Sequence, residues 1–195
     1  MQCVLSAQME KAEQNQRHTL FQTKCVIKDR SCRLIIDGGS CNNLASSDMV
    51  EKLGLTTKPH PHPYYVRWLN NSGKVKVTRL VRINFSIGSY HDVVECDVVP
   101  MEACHILLGR PWQFDTDCLH HGRSNQYTLI YHDKKIALLP MSPEAIVRDD
   151  IAKAAKAKTE NNKSSKSVGN NGDGIKLKGH CLLATKSDIN ELIAS

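Results

Sequence analysis

Apolar and polar residues alternate along much of the chain between Thr19 and Pro140, which predicts a domain built mainly from β-strands. Leu80 to Ile87 reads L-V-R-I-N-F-S-I, the two-residue period of a strand with one buried face. Further strands are predicted where β-branched and aromatic residues cluster between turn residues. They are Phe21–Ile27, Arg33–Ile36, Tyr64–Leu69, Lys74–Thr78 and Asp92–Val99, the last ended by Pro100.

Residues with turn propensity predict how these strands connect. Asn70-Asn71-Ser72-Gly73 lies between two β-rich runs and is a strong hairpin signal, and Gly88-Ser89 predicts another hairpin. Asp29-Arg30 predicts a turn between the first two strands. One helix interrupts the pattern, with Ser46 as N-cap, Gly54 as stop, and an apolar face of Met49, Val50 and Leu53.

The two ends of the chain differ in composition from this β-rich region. Residues 1–18 are polar and rich in Gln and Glu, and are predicted to be an upstream segment. Residues 142–180 are polar and basic, and cannot bury enough apolar surface to offset their ordering entropy. They are predicted to be a flexible linker that could contain a short helix, followed by a separate segment at 181–195. The folded domain is therefore expected over residues 19–141.

The net charge of +6 is informative mainly through its location. From Arg148 to His180 there are eight Lys or Arg and four Asp or Glu, a net of +4 in 33 residues. Most of the excess charge thus lies outside the predicted domain. The segment is interpreted as a solvated basic tether, and weak, salt-sensitive contact with RNA or DNA is the alternative.

Neither the cysteines nor the histidines show the spacing of a metal site. The eight Cys include no Cys-x-x-Cys pair, so the ligand spacing of a zinc finger is absent. The remaining clusters are interpreted as core thiols, surface histidines and an extended loop, and no metal or cofactor is predicted. The clusters of core thiols and surface histidines are Cys104-His105 and Cys118-Leu119-His120-His121. The extended loop is His60-Pro61-His62-Pro63.

The start of the chain lacks the basic residues and apolar run of a secretory signal. No stretch approaches the roughly 20 apolar residues of a membrane span, so no membrane contact is predicted. Reduced thiols in the cytoplasm or nucleus are the expectation.

Asp37 is the candidate for chemistry, because the run Arg33 to Leu44, R-L-I-I-D-G-G-S-C-N-N-L, drives an acid out of a β-forming stretch into two glycines. One interpretation is a turn, since Asp bonds its own backbone and Gly accepts a positive φ. The other is a reactive carboxylate whose solvation is limited by apolar strands on both sides. The Asp-Gly-Gly triplet alone does not decide between them.

Three segments in this order resemble the retropepsin-like aspartic proteases, most closely the protease of gypsy-class LTR retrotransposon polyproteins from plants. Leu34 to Ser40 is similar to the family's hydrophobic run into D-[ST]-G-[AS], and Val66 to Val77 is similar to its flap hairpin. Ile106 to Trp112, I-L-L-G-R-P-W, is similar to the segment that packs under the active-site loop. The resemblance covers about residues 19–141, and residues 181–195 resemble a fragment of the junction that leads to a downstream polyprotein region in such proteins.

The resemblance implies an all-β, retropepsin-like closed β-barrel protomer with one or two short helices and flexible terminal segments. It assigns catalysis to Asp37 and the active-site loop to Gly38, Gly39 and Ser40. The implied flap tip consists of Trp68, Leu69, Asn70, Asn71, Ser72 and Gly73, with Trp68 as a candidate substrate contact. Support of the loop is assigned to Ile106, Leu107, Leu108 and Gly109, whereas Trp112 is expected to pack.

The chemistry of the family needs two carboxyls that share one proton, one to activate water and one to protonate the carbonyl oxygen. This chain contains one strand-Asp-Gly-Gly loop, so a second copy must supply the other carboxylate in a C2 homodimer. The predicted function is therefore an aspartic endopeptidase acting on a polypeptide substrate, with retrotransposon polyprotein processing as its role.

Gly38 departs from the family pattern, because the family places Ser or Thr there and its hydroxyl bonds across the dimer axis. Glycine removes that donor and loosens the backbone. The alternative is therefore a catalytically silent dimerisation or peptide-binding module with the same fold, and a third class is a basic RNA-associating fragment.

Overall fold

The computed structural model describes residues 16–67 and 74–164, which contain ten strands and three helices. In chain order these are β1 (Gln22–Ile27), β2 (Arg30–Ile36), β3 (Leu44–Ser46), α1 (Ser47–Lys52), β4 (Thr57–Arg67), β5 (Lys74–Ile87), β6 (Tyr90–Val99), β7 (Ile106–Leu108), α2 (Arg110–Asp115), β8 (Leu119–His121), β9 (Gln126–Tyr131), β10 (Lys134–Leu138) and α3 (Pro143–Ser164).

Seven of the strands form one sheet in the order β1-β2-β7-β3-β6-β5-β4. A further pairing between β1 and β5, at Val26 and Ser86, closes six of these strands into a ring. The ring contains every strand of the sheet except β4, which lies outside it and pairs with β5. Strands β10, β9 and β8 form a separate antiparallel sheet. The prediction of a mainly β fold with short helices in the domain is confirmed, and the ring closure agrees with the expected barrel.

The second half of strand β2 is buried on both faces, which explains its apolar run Leu34 to Ile36. Leu34 and Ile36 belong to the main core, while Ile35 between them faces a second, smaller core. A strand covered on both sides has no solvent face to carry polar residues. The second core consists of Ile35, Leu44, Val77, Val99, Met101, Cys104 and Leu107, with Tyr64 and Val66 packed against it.

The tight turns follow the residue types at their centres, with one shift from the predicted positions. Lys28 and Asp29 both have positive φ values, 47° and 61°, between β1 and β2. This is the two-residue turn that matches strand twist, so the predicted Asp29-Arg30 turn is displaced by one residue. Gly88, at φ 59°, forms the predicted turn between β5 and β6.

Helix α1 occupies the predicted position, and Gly54 ends it with a φ of 55°. Ser46 stands at the N-cap but its side chain caps nothing. Its hydroxyl instead donates to the carbonyl of Met101, 2.9 Å away. The prediction of Ser46 as the N-cap residue is confirmed, although a buried tertiary acceptor takes the hydroxyl that usually caps the helix.

The strands around the predicted flap are longer than expected. Lys74–Thr78 and Leu80–Ile87 are one strand, β5, which pairs with β4 at its start and with β6 at its end. The His60-Pro61-His62-Pro63 run belongs to β4 instead of a loop. Its prolines are tolerated because β4 is an outer strand and its register with β5 is irregular between Pro59 and Tyr64.

Helix α3 is the largest difference from the sequence prediction, which placed a flexible linker with a possible short helix at residues 142–180. The helix spans 22 residues, and Ala, Lys and Glu make much of it a good helix former despite its polarity. Asp149 accepts hydrogen bonds from Arg33 Nε and Nη2, at 3.0 and 2.6 Å. It also forms an ion pair with Lys24 Nζ at 3.0 Å. Asp150 accepts from Arg33 Nη1 at 2.6 Å, so paired charges attach the helix to β1 and β2.

In the part of the chain that the structure describes, no helix has both the length and the apolar character needed to cross a membrane.

Candidate active site

Asp37 lies immediately after β2, at the start of the segment 37–43, here called the Asp37 loop. Its backbone N–H donates to the carbonyl of Leu108 at 3.0 Å. Its Oδ1 accepts from the N–H of Gly39 at 2.9 Å, and its carbonyl accepts from the N–H of Ser40 at 3.2 Å. The carboxylate is thus held at the end of a buried strand but remains partly exposed to solvent.

The support beneath the loop is strand β7, which pairs in parallel with β2 and antiparallel with β3. Ile106 and Leu108 are fully buried and Leu107 is 5% exposed. Leu108 therefore packs in the core and also binds the backbone of Asp37. This is the position that the resemblance assigned to the I-L-L-G segment, although the functional role of these residues remains a prediction.

Gly109 is required by the close approach of two backbones. A Cβ at this position would lie 2.4 Å from the carbonyl oxygen of Asn42 and 2.7 Å from that of Ser40. The N–H of Gly109 donates to Asn43 Oδ1 at 2.9 Å, and the N–H of Arg110 donates to the Ser40 carbonyl at 2.9 Å. The start of α2 is thereby fixed to the far end of the Asp37 loop.

The two glycines that follow Asp37 do not adopt the conformation reserved for glycine, since Gly54 and Gly88 are the glycines with positive φ in the described residues. The part of the turn interpretation that rests on a positive φ at Gly38 is therefore wrong. The other part is correct, because Asp37 does bond the backbone two residues on. The turn and a partly exposed carboxylate coexist.

Gly38 and Gly39 differ in what a side chain would meet. A Cβ at Gly39 would lie 3.2 Å from Asp37 Oδ1, so a larger residue would press on the carboxylate. A Cβ at Gly38 would meet only the carboxamide of Gln113, at 3.5 Å from Oε1 and 3.8 Å from Nε2. Nε2 of Gln113 is buried without a hydrogen-bond partner. The space beside Gly38 thus borders an unsatisfied donor.

The second core lies beside the loop and beneath strands β4 and β5. Ile35, two residues before Asp37, and Leu107 are part of it, and Tyr64 and Val66 of β4 pack against it. Strands β4 and β5 lead into the predicted flap tip. Those tip residues, Trp68, Leu69, Asn70, Asn71, Ser72 and Gly73, lie outside the described residues.

A hydrogen-bonded chain of side chains, which the sequence did not reveal, connects the loop with β4. The Asn42 amide donates to the Tyr64 hydroxyl, which donates to Asp97 Oδ2. His60 Nε2 lies 3.2 Å from Asp97 Oδ1. These four residues follow no sequence motif. The parallel register of Leu44 with Asp97 brings the loop to β6, and β5, which pairs with both β4 and β6, brings β4 to the same place.

Trp112 packs as predicted and is 3% exposed. Its indole Nε1 donates to Asp92 Oδ2 at 2.9 Å, and the Tyr90 hydroxyl donates to the same oxygen at 2.5 Å. Burial, followed by the hydrogen bond to Asp92, raises the pKa of Tyr90. Trp112 is therefore a packed core residue whose indole N–H is satisfied by Asp92.

The histidine clusters bind neighbouring polar side chains. His120 Nε2 lies 3.0 Å from Asn125 Oδ1, and His121 Nε2 lies 3.0 Å from Thr128 Oγ1. Within residues 16–67 and 74–164, no group of three or more His, Cys, Asp or Glu is arranged to hold a metal ion.

The segment that carries this site is similar to a family of protease domains. Residues 33–119, less than half of the 195-residue chain, match the family model of the PEG10/RTL1 protease domain. This segment contains the Asp37 loop, β7 and α2.

Among solved structures, the retroviral protease-like domain of Ddi1 from Leishmania major matches with a TM-score of 0.49 and 12% identity. That match covers 63% of this chain and 94% of the other. No curated protein sequence matches the chain.

Proposed function

We propose that the protein is an aspartic endopeptidase of the retropepsin type, with Asp37 as its catalytic residue. The observation that carries the proposal is the position of Asp37, partly exposed at the end of a buried strand and bonded to Leu108 and Gly39. The similarity of residues 33–119 to a protease-domain family supports it. Processing of a polyprotein from a gypsy-class element, of plant origin, is the role we propose.

The active unit is proposed to be a homodimer, because one chain supplies one strand-Asp-Gly-Gly loop. Two copies of Asp37 across a two-fold axis would share a proton, since like charges at close range disfavour double ionisation. One carboxylate then accepts a proton from water as the other donates one to the carbonyl oxygen of the peptide. Strands β4 and β5, which lead to the predicted flap, cover the apolar residues beside the loop.

A second candidate function is a catalytically silent module that dimerises or binds peptides. It is favoured by Gly38, which leaves no hydroxyl where the resembled family carries one. The same β-barrel would then offer a binding surface without hydrolysis.

Cleavage of an unstructured peptide library by the full chain tests the proposal. We expect cleavage with an acidic optimum, inhibition by a pepstatin-like transition-state mimic, and a loss of at least about a hundredfold in Asp37→Asn. Asp48→Asn, in an exposed i,i+4 ion pair with Lys52, is the matched control and should retain activity. Equal activity in Asp37→Asn, or inhibition by a chelator or thiol reagent instead, contradicts the aspartic mechanism.

Mixing wild-type protein with excess Asp37→Asn tests the shared site. Heterodimers would contain a single carboxylate, so we expect activity per wild-type chain to fall as mutant is added. Activity that stays proportional to the wild-type protein alone would indicate a monomeric mechanism and contradict the proposed dimer.

Weak nucleic-acid contact through the basic residues after Arg148 is proposed as a secondary property. Lys and Arg that neutralise phosphates give an affinity that falls steeply with salt. Deletion of residues 148–180 should abolish RNA binding measured at low salt, and unchanged binding would exclude this segment.

A further inference from the structure

Four side chains from three segments form one continuous hydrogen-bonded chain beside the Asp37 loop. Asn42 belongs to the loop, His60 and Tyr64 to β4, and Asp97 to β6. The rings of His60 and Tyr64 also contact each other edge to face, with centroids 5.5 Å apart. The loop and the strand that leads to the predicted flap therefore share one polar network.

Each partner in the chain has a defined donor or acceptor role. The N–H of His62 donates to His60 Nδ1 at 3.0 Å, which leaves Nε2 to carry the proton of the neutral ring. Nε2 donates to Asp97 Oδ1, and the Tyr64 hydroxyl donates to Oδ2. The Tyr64 oxygen in turn accepts from Asn42, so both carboxylate oxygens and the hydroxyl are satisfied.

The network is centred on the buried carboxylate of Asp97, and its other three members are half-buried, so its bonds are not freely exchanged for bonds to water. Asp97 is 6% exposed, and the side chain of His60 is 14% exposed. Burial, followed by the hydrogen bond to Asp97, raises the pKa of the Tyr64 phenol to about 12. Removal of one member would leave a buried polar group unsatisfied, which costs more than the bond itself contributes.

The backbone of the loop is bound at the same place. The N–H of Asp97 donates to the Asn43 carbonyl at 2.9 Å, and Ser40 Oγ donates to the Asn42 carbonyl at 2.8 Å. Asn43 also binds Gly109, which connects this point to the support of Asp37. A displacement of Tyr64 would thus reach Asn42, in a loop that is hydrogen-bonded to Asp97 and to Gly109.

We propose that Tyr64 is a positioning residue that couples strand β4 to the Asp37 loop through Asn42 and Asp97. The catalytic consequence rests on the proposed protease function: movement of β4 over a substrate would adjust the loop that carries Asp37. The coupling itself is a property of the fold and is measurable without cleavage.

Hydrogen exchange of the full chain separates the coupling from a local packing effect. Tyr64→Phe keeps the ring and removes the hydroxyl, while Tyr65→Phe makes the same change at a neighbour that is 61% exposed. We expect Tyr64→Phe to raise exchange about tenfold both in residues 57–67 and in residues 38–44, as for loss of about 1.4 kcal/mol of local stability. Tyr65→Phe should change neither segment.

The reciprocal change gives a second test. Asn42→Ala removes the loop's donor to Tyr64, and we expect faster exchange in 57–67 although the substitution lies in the loop. The double variant Asn42→Ala with Tyr64→Phe should exchange no faster than the stronger single variant, because both remove one coupling. An effect confined to the segment that carries each substitution, or simple addition of the two effects, would overturn the proposal.

Peptide cleavage supplies the catalytic arm. We expect Tyr64→Phe to lower kcat about tenfold with little change in KM, since a displaced loop weakens the transition state more than substrate binding. Retained exchange coupling with an unchanged kcat would overturn the positioning role. If the wild-type chain cleaves no peptide, the protease proposal fails, and the exchange results alone decide the coupling.

Discussion

The Asp37 loop and helix α3 are both attached to the barrel, but by different kinds of contact. The loop is held by backbone bonds from Asp37 to Leu108 and from Arg110 to Ser40, and by the close approach to Gly109. Helix α3 is held by the ion pairs of Asp149 and Asp150 with Arg33, and just before the helix the N–H of Met141 donates to the Gln22 carbonyl at 2.7 Å. Its apolar residues Val147 and Ile151 are exposed.

The difference predicts how each region responds to change. Close backbone packing tolerates no added atom, whereas an ion pair depends on pH and on the burial of its members. Substitutions in the loop should therefore lower stability by steric clash. Substitutions at the contacts of α3 with β1 and β2 should lower it by loss of an ion pair.

The largest effect is expected for Gly109→Ala. The added methyl group would lie 2.4 Å from the Asn42 carbonyl oxygen, so the start of α2 or the Asp37 loop must move. We expect a loss of about 3–4 kcal/mol in the free energy of unfolding, at the upper end for a single substitution, and loss of any peptide cleavage. Urea denaturation of the two proteins measures the difference.

Gly122→Ala is the matched control, because a Cβ there meets nothing within 4 Å. Its stability should stay within about 0.5 kcal/mol of wild type. Equal stability of the Gly109 and Gly122 variants would show that the loop and α2 are not packed as closely as the structure has them.

The loop was predictable from sequence because its determinants are local. A β-forming run ends at Asp37, and the resemblance of I-L-L-G to a known family's segment placed it beneath the loop; each of these determinants lies within a few residues. The Asn42–Tyr64–Asp97–His60 chain was not readable, since its members lie on three segments joined only by register. The attachment of α3 was missed for the same reason: Arg33 and Asp149 are 116 residues apart, and a polar composition alone predicted a linker.

An intermediate effect is expected for Asp149→Asn. Burial by itself raises the pKa of Asp149, but hydrogen bonds from Lys24 and Arg33 outweigh it and leave the pKa below its ordinary value. A lowered folded-state pKa stabilises above the ordinary carboxyl pKa of about 3.9, and this stabilisation is lost as pH falls through the folded value. We expect a loss of about 1.5–3 kcal/mol at pH 7 that shrinks below about pH 4.

Asp48→Asn makes the same substitution in an exposed ion pair. The side chain of Asp48 is 69% exposed and that of its partner Lys52 is 61% exposed. It should cost less than about 1 kcal/mol, because solvent screens an exposed pair. Urea denaturation from pH 3 to pH 7 compares the three proteins. A loss in Asp149→Asn that is as small as in Asp48→Asn, or that grows toward low pH, would show that the charges do not hold the helix.

The smallest effect is expected for Gly38→Ser, and its sign matters more than its size. Gly38 has no positive φ, and a Cβ there makes ordinary contact with Gln113, so a side chain fits without backbone strain. Serine removes freedom from the unfolded chain, which stabilises by about 0.4–1 kcal/mol where the native φ suits it. Its hydroxyl can also accept from Nε2 of Gln113, which is buried without a partner.

Because Gln113→Leu removes that donor, the gain from Gly38→Ser should be smaller in the Gln113→Leu background, as a double-mutant cycle in urea would measure. A destabilising Gly38→Ser would mean that the loop requires glycine at this position, and an equal gain in both backgrounds would mean that Gln113 takes no part.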